Sequence, residues 1–198
     1  MATNQVRIGA PKKDARTTGG LLSAPEGTVL PTDAKSELDD AFVGLGLVGD
    51  GGLSENVERS TEDIRDWDKT IVRTVQSEHG LKFTFSLIER TAATLREVNG
   101  PGNVTEATDE EGNVTRTIVY NSDELPVKVY VAEMRDRGGV RIRKVYPNAQ
   151  ITSISEVSYV KDAPITYECE CTAYPDESGN NQYEYELIPA AVAPAVTP

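Results

Sequence analysis

The groups able to do chemistry are few: His79, Cys169 and Cys171, a run of carboxylates at Glu62, Asp63, Asp66 and Asp68, and a cluster of cations at Arg135, Arg137, Arg141, Arg143 and Lys144. Nucleophilic catalysis needs a nucleophile, a base beside it and a group that orients the base. His79 is the only histidine, and it stands just before a predicted turn at Gly80, where a solvated side chain is the simpler reading. The two cysteines lie at i and i+2 of a predicted strand, on one face and too far apart for ordinary disulfide geometry. Two thiols without a third ligand make a poor metal site, so they read as small buried fillers. The carboxylate spacing matches no calcium loop and reads as a solvated or interface face. Neither a cofactor nor a metal is expected, and no enzyme.

Two motifs are decoys. GLGLVG over 44–49 satisfies G-x-G-x-x-G, but the dinucleotide fingerprint needs a strand before it and a helix opening after it. Here a predicted helix precedes and Gly51-Gly52 follow, so a loop or bulge is expected. Asn103-Val104-Thr105 and Asn113-Val114-Thr115 are glycosylation sequons by pattern; with no signal-peptide core in the N-terminal stretch they read as β-prone turn flanks. The cation cluster allows a subunit interface, a solvated surface or contact with nucleic acid, and the acidity of the chain favours the first.

These side chains must be positioned by strands. The chain has 198 residues, 38% of them hydrophobic, and a formal net charge of −12. That balance argues against a clamp on phosphates, and no run is apolar enough to span a bilayer. Three segments are expected: an extended N-terminal arm over 1–31, a single β-rich domain over 32–188, and a flexible tail over 189–198. The arm carries small apolar islands at Val6, Ile8, Leu21-Leu22 and Val29-Leu30, so it is either disordered or docked on the body or a neighbour.

Thr32 or Asp33 can cap a short helix toward Phe42. Leu53 to Trp67 is polar with a weak strand pattern. TIVRTVQSE and LKFTFSLIE, separated by Gly80, are expected to pair as a hairpin. Thr91 caps the best helix, about 91–99, which Gly100-Pro101 ends. NVTEATDEEGNVTRTIVY folds back around Gly112, and VKVYVAEM and VRIRKVY fold back around Arg137-Gly138-Gly139. ITSISEVSYV, ITYECECTAY and QYEYELI complete the strands. In the second of these, Ile165, Tyr167, Cys169, Cys171 and Ala173 share a buried face.

The order APEGT with LPTDA, then GDGGL, then RSTEDIRDW, then a hairpin into a short helix, resembles the N-terminal half of major tail tube proteins from siphophages of actinobacteria. ITSISEVSYVKDAPITYECECTAYPDESG is similar to that family's closing strands. The resemblance covers roughly half of the chain. It implies a mainly β fold, a β-sandwich or half-barrel with one flanking helix, and a structural virion protein polymerising as stacked hexameric rings around a conduit for DNA ejection. It also implies partners: the chain itself, a tape-measure protein, a tail terminator and a distal tail protein, in a virion tail assembled in the host cytoplasm. DNA is expected to pass without specific binding, and no membrane is involved. The residues expected at the subunit interface are Trp67, Arg59, Asp63, Arg141 and Arg143, with residues 49–70 as the contact loop. The alternative is a virion decoration or host-binding β-sandwich module, marked by an exposed aromatic cluster, for which Tyr183 and Tyr185 are the close pair on offer.

Overall fold

The computed structural model describes residues 6–12 and 19–190. Along the chain lie β1 (Ala10–Pro11), β2 (Leu21–Pro25), β3 (Val43–Gly44), β4 (Val48–Arg65), β5 (Ile71–Leu87), α1 (Ala92–Asn99), β6 (Val104–Thr108), β7 (Val114–Ile118), β8 (Lys128–Arg135), β9 (Arg141–Ile154), β10 (Tyr167–Tyr174) and β11 (Tyr183–Leu187). Among the described residues, one antiparallel sheet runs β3-β2-β8-β9-β10-β5-β4, with β1 added to β8 and β11 to β9; β6 and β7 form a separate ribbon. The protein is mainly β with one short helix, as expected.

Alternation explains how the sheet buries two layers. On one face Phe83, Phe85 and Leu87 of β5, Tyr167, Cys169 and Cys171 of β10, and Tyr130 and Tyr146 of β8 and β9 form the larger core, which α1 closes with Leu95 and Val98. Phe83 stacks on Tyr146 at 4.0 Å between ring centroids and meets Tyr130 edge-on at 5.6 Å. On the other face Leu22, Ala24, Val129, Val131 and Val145 pack against Phe42 and Leu38. Strand β8 is therefore buried on both sides, which is why VYVA has no polar positions.

α1 starts where its cap predicts: the Thr91 hydroxyl accepts from the Thr94 N–H at 3.1 Å. The helix expected over 32–42 is absent. Asp33 accepts the N–H groups of Lys35 and Ser36, and Asp39 accepts that of Ala41, so the carboxylates hold turns instead of a helix. Phe42 is buried from that irregular segment all the same.

Two further expectations fail for physical reasons. Residues 71–87 are one strand through Gly80, and its partner is β4, pairing from Val48↔Leu87 to Arg65↔Ile71. The polar stretch 53–67 thus contributes a long strand where a loop over 49–70 was expected. VRIRKVY and the start of ITSISEVSYV are likewise one strand across Pro147: residues 141–145 pair with β11, and 148–154 with β10. Pro147 falls in the gap between those two ladders, the position where its missing N–H costs least. Residues 155–166 carry no strand.

Of the two fates open to the segment 1–31, the described part is docked: β1 and β2 both pair with β8, and Leu21 to Ala24 are buried, so the sheet begins inside that segment. In the tail, 191–198 lie outside the described residues.

Candidate assembly surface

The β4–β5 ladder is two structures in sequence. Near the body, Leu53, Phe83, Phe85 and Leu87 lie against the core. Glu55 turns its carboxylate to the Lys144 ammonium and the Tyr146 hydroxyl, tying β4 down. Burial works against the Lys144 charge, but its bonds to Glu55 and Glu184 hold its pKa above the usual lysine value. Burial, then the Glu55 charge, pushes the Tyr146 hydroxyl far above the usual tyrosine range.

From Asn56 to Thr74 every residue is exposed. The turn is set locally: Asp66 Oδ1 accepts the Thr70 N–H at 2.9 Å, and Lys69 takes a left-handed φ of 66°. At this tip Trp67 is 98% exposed, with Ile64, Ile71 and Val72 also in solvent. A two-stranded ribbon without a covered face is marginal by itself. The outer border of β4 is also unpaired among the described residues.

Opposite the core, β4, β5, β10 and β9 present a polar plain. Cross-strand rows run Ser54↔Thr84↔Glu170↔Ser153 and Asn56↔Lys82↔Thr172↔Gln150, with Ser86 opposite Glu168. Lys82 is tied to Glu170 at 3.4 Å and Glu58 at 4.0 Å.

The expected interface residues separate into two groups. Trp67, Arg59 and Asp63 all lie on the exposed part of the ladder, where Arg59 pairs with His79 and Asp63 accepts from Thr74 at 2.8 Å. Arg141 faces Arg135 across the β8–β9 hairpin, with Arg137 in its turn, leaving three guanidinium groups together with no carboxylate bonded to them among the described residues. Arg143, two residues on, is 2% exposed. It donates to Glu133, to the carbonyl of Asp33 at 2.6 Å and to that of Ser36 at 2.9 Å. Its guanidinium is committed inside the subunit, and Lys144 is likewise engaged, so the five-cation cluster reduces to three.

Two features were missed in the sequence. Glu97 of α1 is buried and accepts from Ser23 at 2.9 Å, Lys128 at 2.7 Å and Tyr130 at 2.5 Å, pinning the helix to the sheet. Its partners are 31 to 74 residues away, and no local spacing marks them. Tyr120 and Tyr159 are exposed around Arg90, whose guanidinium also donates to the Tyr167 hydroxyl at 2.8 Å. Tyr183 and Tyr185, the expected aromatic pair, stack at 6.4 Å and are half-buried over the second core.

The GLGLVG stretch is a bend between β3 and β4: Gly46 has a φ of 85°, and a Cβ there would collide with the Glu89 carboxylate. Burial pushes the Cys169 thiol up to about 12 and Cys171 higher still, as fits core fillers. No helix is long and apolar enough to cross a membrane among the described residues.

The search of curated proteins finds no match. Among solved structures, the chain is similar to one from the PVC sheath–tube complex of an extracellular contractile injection system in the extended state, at 8% identity, covering 88% of this chain and 94% of that one, with a TM-score of 0.47. It is also similar to the tube-terminating cap of the anti-feeding prophage, at 10% identity, 93% and 97% coverage and a TM-score of 0.42. A family model described as phage tail tube protein matches residues 11–192. With nearly the whole described fold inside that match, the chain belongs to the phage tail tube protein family, whose members are structural subunits of the virion tail and not enzymes.

Proposed function

We propose that this chain is the major subunit of a siphophage-type tail tube, closing into hexameric rings that stack into the conduit for DNA ejection. The observation that carries the reading is the β4–β5 ladder: its distal half is built and capped, yet nothing among the described residues covers it or pairs with its outer border. Open borders invite pairing, and closure by identical neighbours removes the hazard.

The polar plain of β4, β5, β10 and β9 is the face we assign to the channel. A conduit must not hold phosphates, and B-form DNA offers one charge per roughly 1.7 Å of duplex. Glu58, Glu168 and Glu170 outnumber Lys82 on this plain, and Lys82 is already paired. Arg135, Arg137 and Arg141, with Arg59, Asp63 and Trp67, are assigned to contacts between copies. The implied partners are a tape-measure protein, a tail terminator and a distal tail protein, with assembly in the host cytoplasm.

Electron microscopy of the purified full-length chain at rising concentration tests this. Hollow tubes with a regular axial repeat are expected. A solitary particle at every concentration overturns it and favours a decoration or host-binding module, for which the exposed Tyr120 and Tyr159 would be the contact.

A further inference from the structure

Trp67 has no seat among the described residues of its own subunit, and the molecule holds a groove suited to an indole. It lies between α1 and the β2–β3 end of the sheet, a cavity of about 600 Å³ walled by Pro25, Val43, Ala93, Pro101, Pro126 and Val127. Val43 is 52% exposed there, a large apolar side chain that nothing among the described residues covers.

The charges at the rim and at the tip are complementary. Lys128 at the rim is neutralised by Glu97, but the Arg96 side chain is 45% exposed and meets Glu106 only at 3.6 Å. Trp67 is flanked by Asp66 and Asp68, and Asp68 has no ion pair among the described residues. Glu26, exposed on the same rim, has a counterpart in Lys69 at the tip.

Groove and tip belong to opposite ends of the strand order, β3-β2 and β5-β4. A contact between them on two copies is head-to-tail, the kind that propagates. The ladder beyond Glu58 spans about eight residues, roughly 25 Å at the rise of a strand, so the tip reaches well past its own body.

We infer that this groove receives the hairpin tip of a second copy of the chain, with Trp67 entering between α1 and the Pro25–Val43 wall and Asp68 meeting Arg96. The inference rests on the tail tube reading and names the receptor that this reading leaves open.

Lys69→Cys and Ala93→Cys, made in separate full-length chains, test it, since any link between them joins two subunits. Cys169 and Cys171 are buried and stay silent. The two variants are mixed, assembled and treated with a short bifunctional thiol reagent. A 69–93 heterodimer is expected from the mixture and from neither variant alone. Independently, Trp67→Ala should raise the concentration for half-assembly roughly 30-fold, as for a buried aromatic anchor, and Trp67→Phe only a few-fold. Tubes without the heterodimer, tip-to-tip dimers instead, or an unchanged half-assembly concentration for Trp67→Ala overturn the groove while leaving the tube intact. Absence of tubes from the unaltered chain overturns both.

Discussion

The two halves of the β4–β5 ladder share strands and antiparallel pairing, yet they differ in what holds them. In the proximal half Phe83, Phe85 and Leu87 are at most 3% exposed, and Glu55 is bonded to Lys144 and Tyr146. In the distal half Asn56 to Thr74 are all exposed. Strand geometry and strand stability are thus separate properties: pairing defines the distal half, but no burial reaches it among the described residues.

Substitutions should divide along that line. Phe83→Ala removes a ring stacked on Tyr146 and should cost about 3–5 kcal/mol in denaturant unfolding of the dilute subunit. Arg143→Ala leaves the buried Glu133 carboxylate with Lys12, 3.6 Å away, as its remaining ion-pair partner among the described residues, and should cost a similar amount, about 3–5 kcal/mol. Arg141→Ala, two residues along the same strand, should change unfolding by less than about 0.5 kcal/mol. Equal costs at 141 and 143 would erase the distinction between surface and internal cations. Glu97→Gln keeps the size of the side chain but weakens three bonds at once, so a loss of about 1–3 kcal/mol is expected, with α1 loosened first in hydrogen exchange.

The pH dependence has two signs. Burial raises Tyr130, Tyr146, Cys169 and Cys171 in the larger core. A group whose folded pKa is raised contributes fully below its unfolded pKa and loses that contribution as pH rises toward the folded one. Thermal stability should therefore fall as pH rises above about 9, the ordinary thiol value, through the Cys169 value of about 12. Asp33, Asp109 and Asp176, held low mainly by hydrogen bonds from Ser36, Asn113 and Tyr183 respectively, act with the opposite sign. Their contribution is present above the ordinary carboxylate pKa and disappears as pH falls through the lowered one, which should loosen those turns in acid. The smallest effect belongs to the tip: Trp67→Ala should leave subunit unfolding unchanged within about 0.5 kcal/mol. A large loss would mean that the indole is packed at home.

What the sequence disclosed follows from where the cause of each element lies. Thr91, Gly112 and the alternation in β10 act within a few residues, so α1, the β6–β7 hairpin and the buried Cys169–Cys171 face were legible. The strand over 48–65 was not, because a ladder with no covered face has polar residues on both sides and therefore no alternation to detect. Continuity of β9 across Pro147 depends on a gap between two partner strands that only the sheet defines. Of the interface candidates, Trp67, Arg59 and Asp63 are exposed together at one ladder. Arg143 was legible as a cation but not as a buried one, since the carbonyls it binds belong to Asp33 and Ser36, more than a hundred residues earlier.

The most direct test compares amide hydrogen exchange in the dilute subunit and in assembled tubes. Amides of 81–87 should be protected in both, while those of 56–74 exchange freely in the subunit and become protected in the tube. Distal amides that exchange equally fast in the two states would contradict it, for the exposed half of the ladder would then have no neighbour covering it.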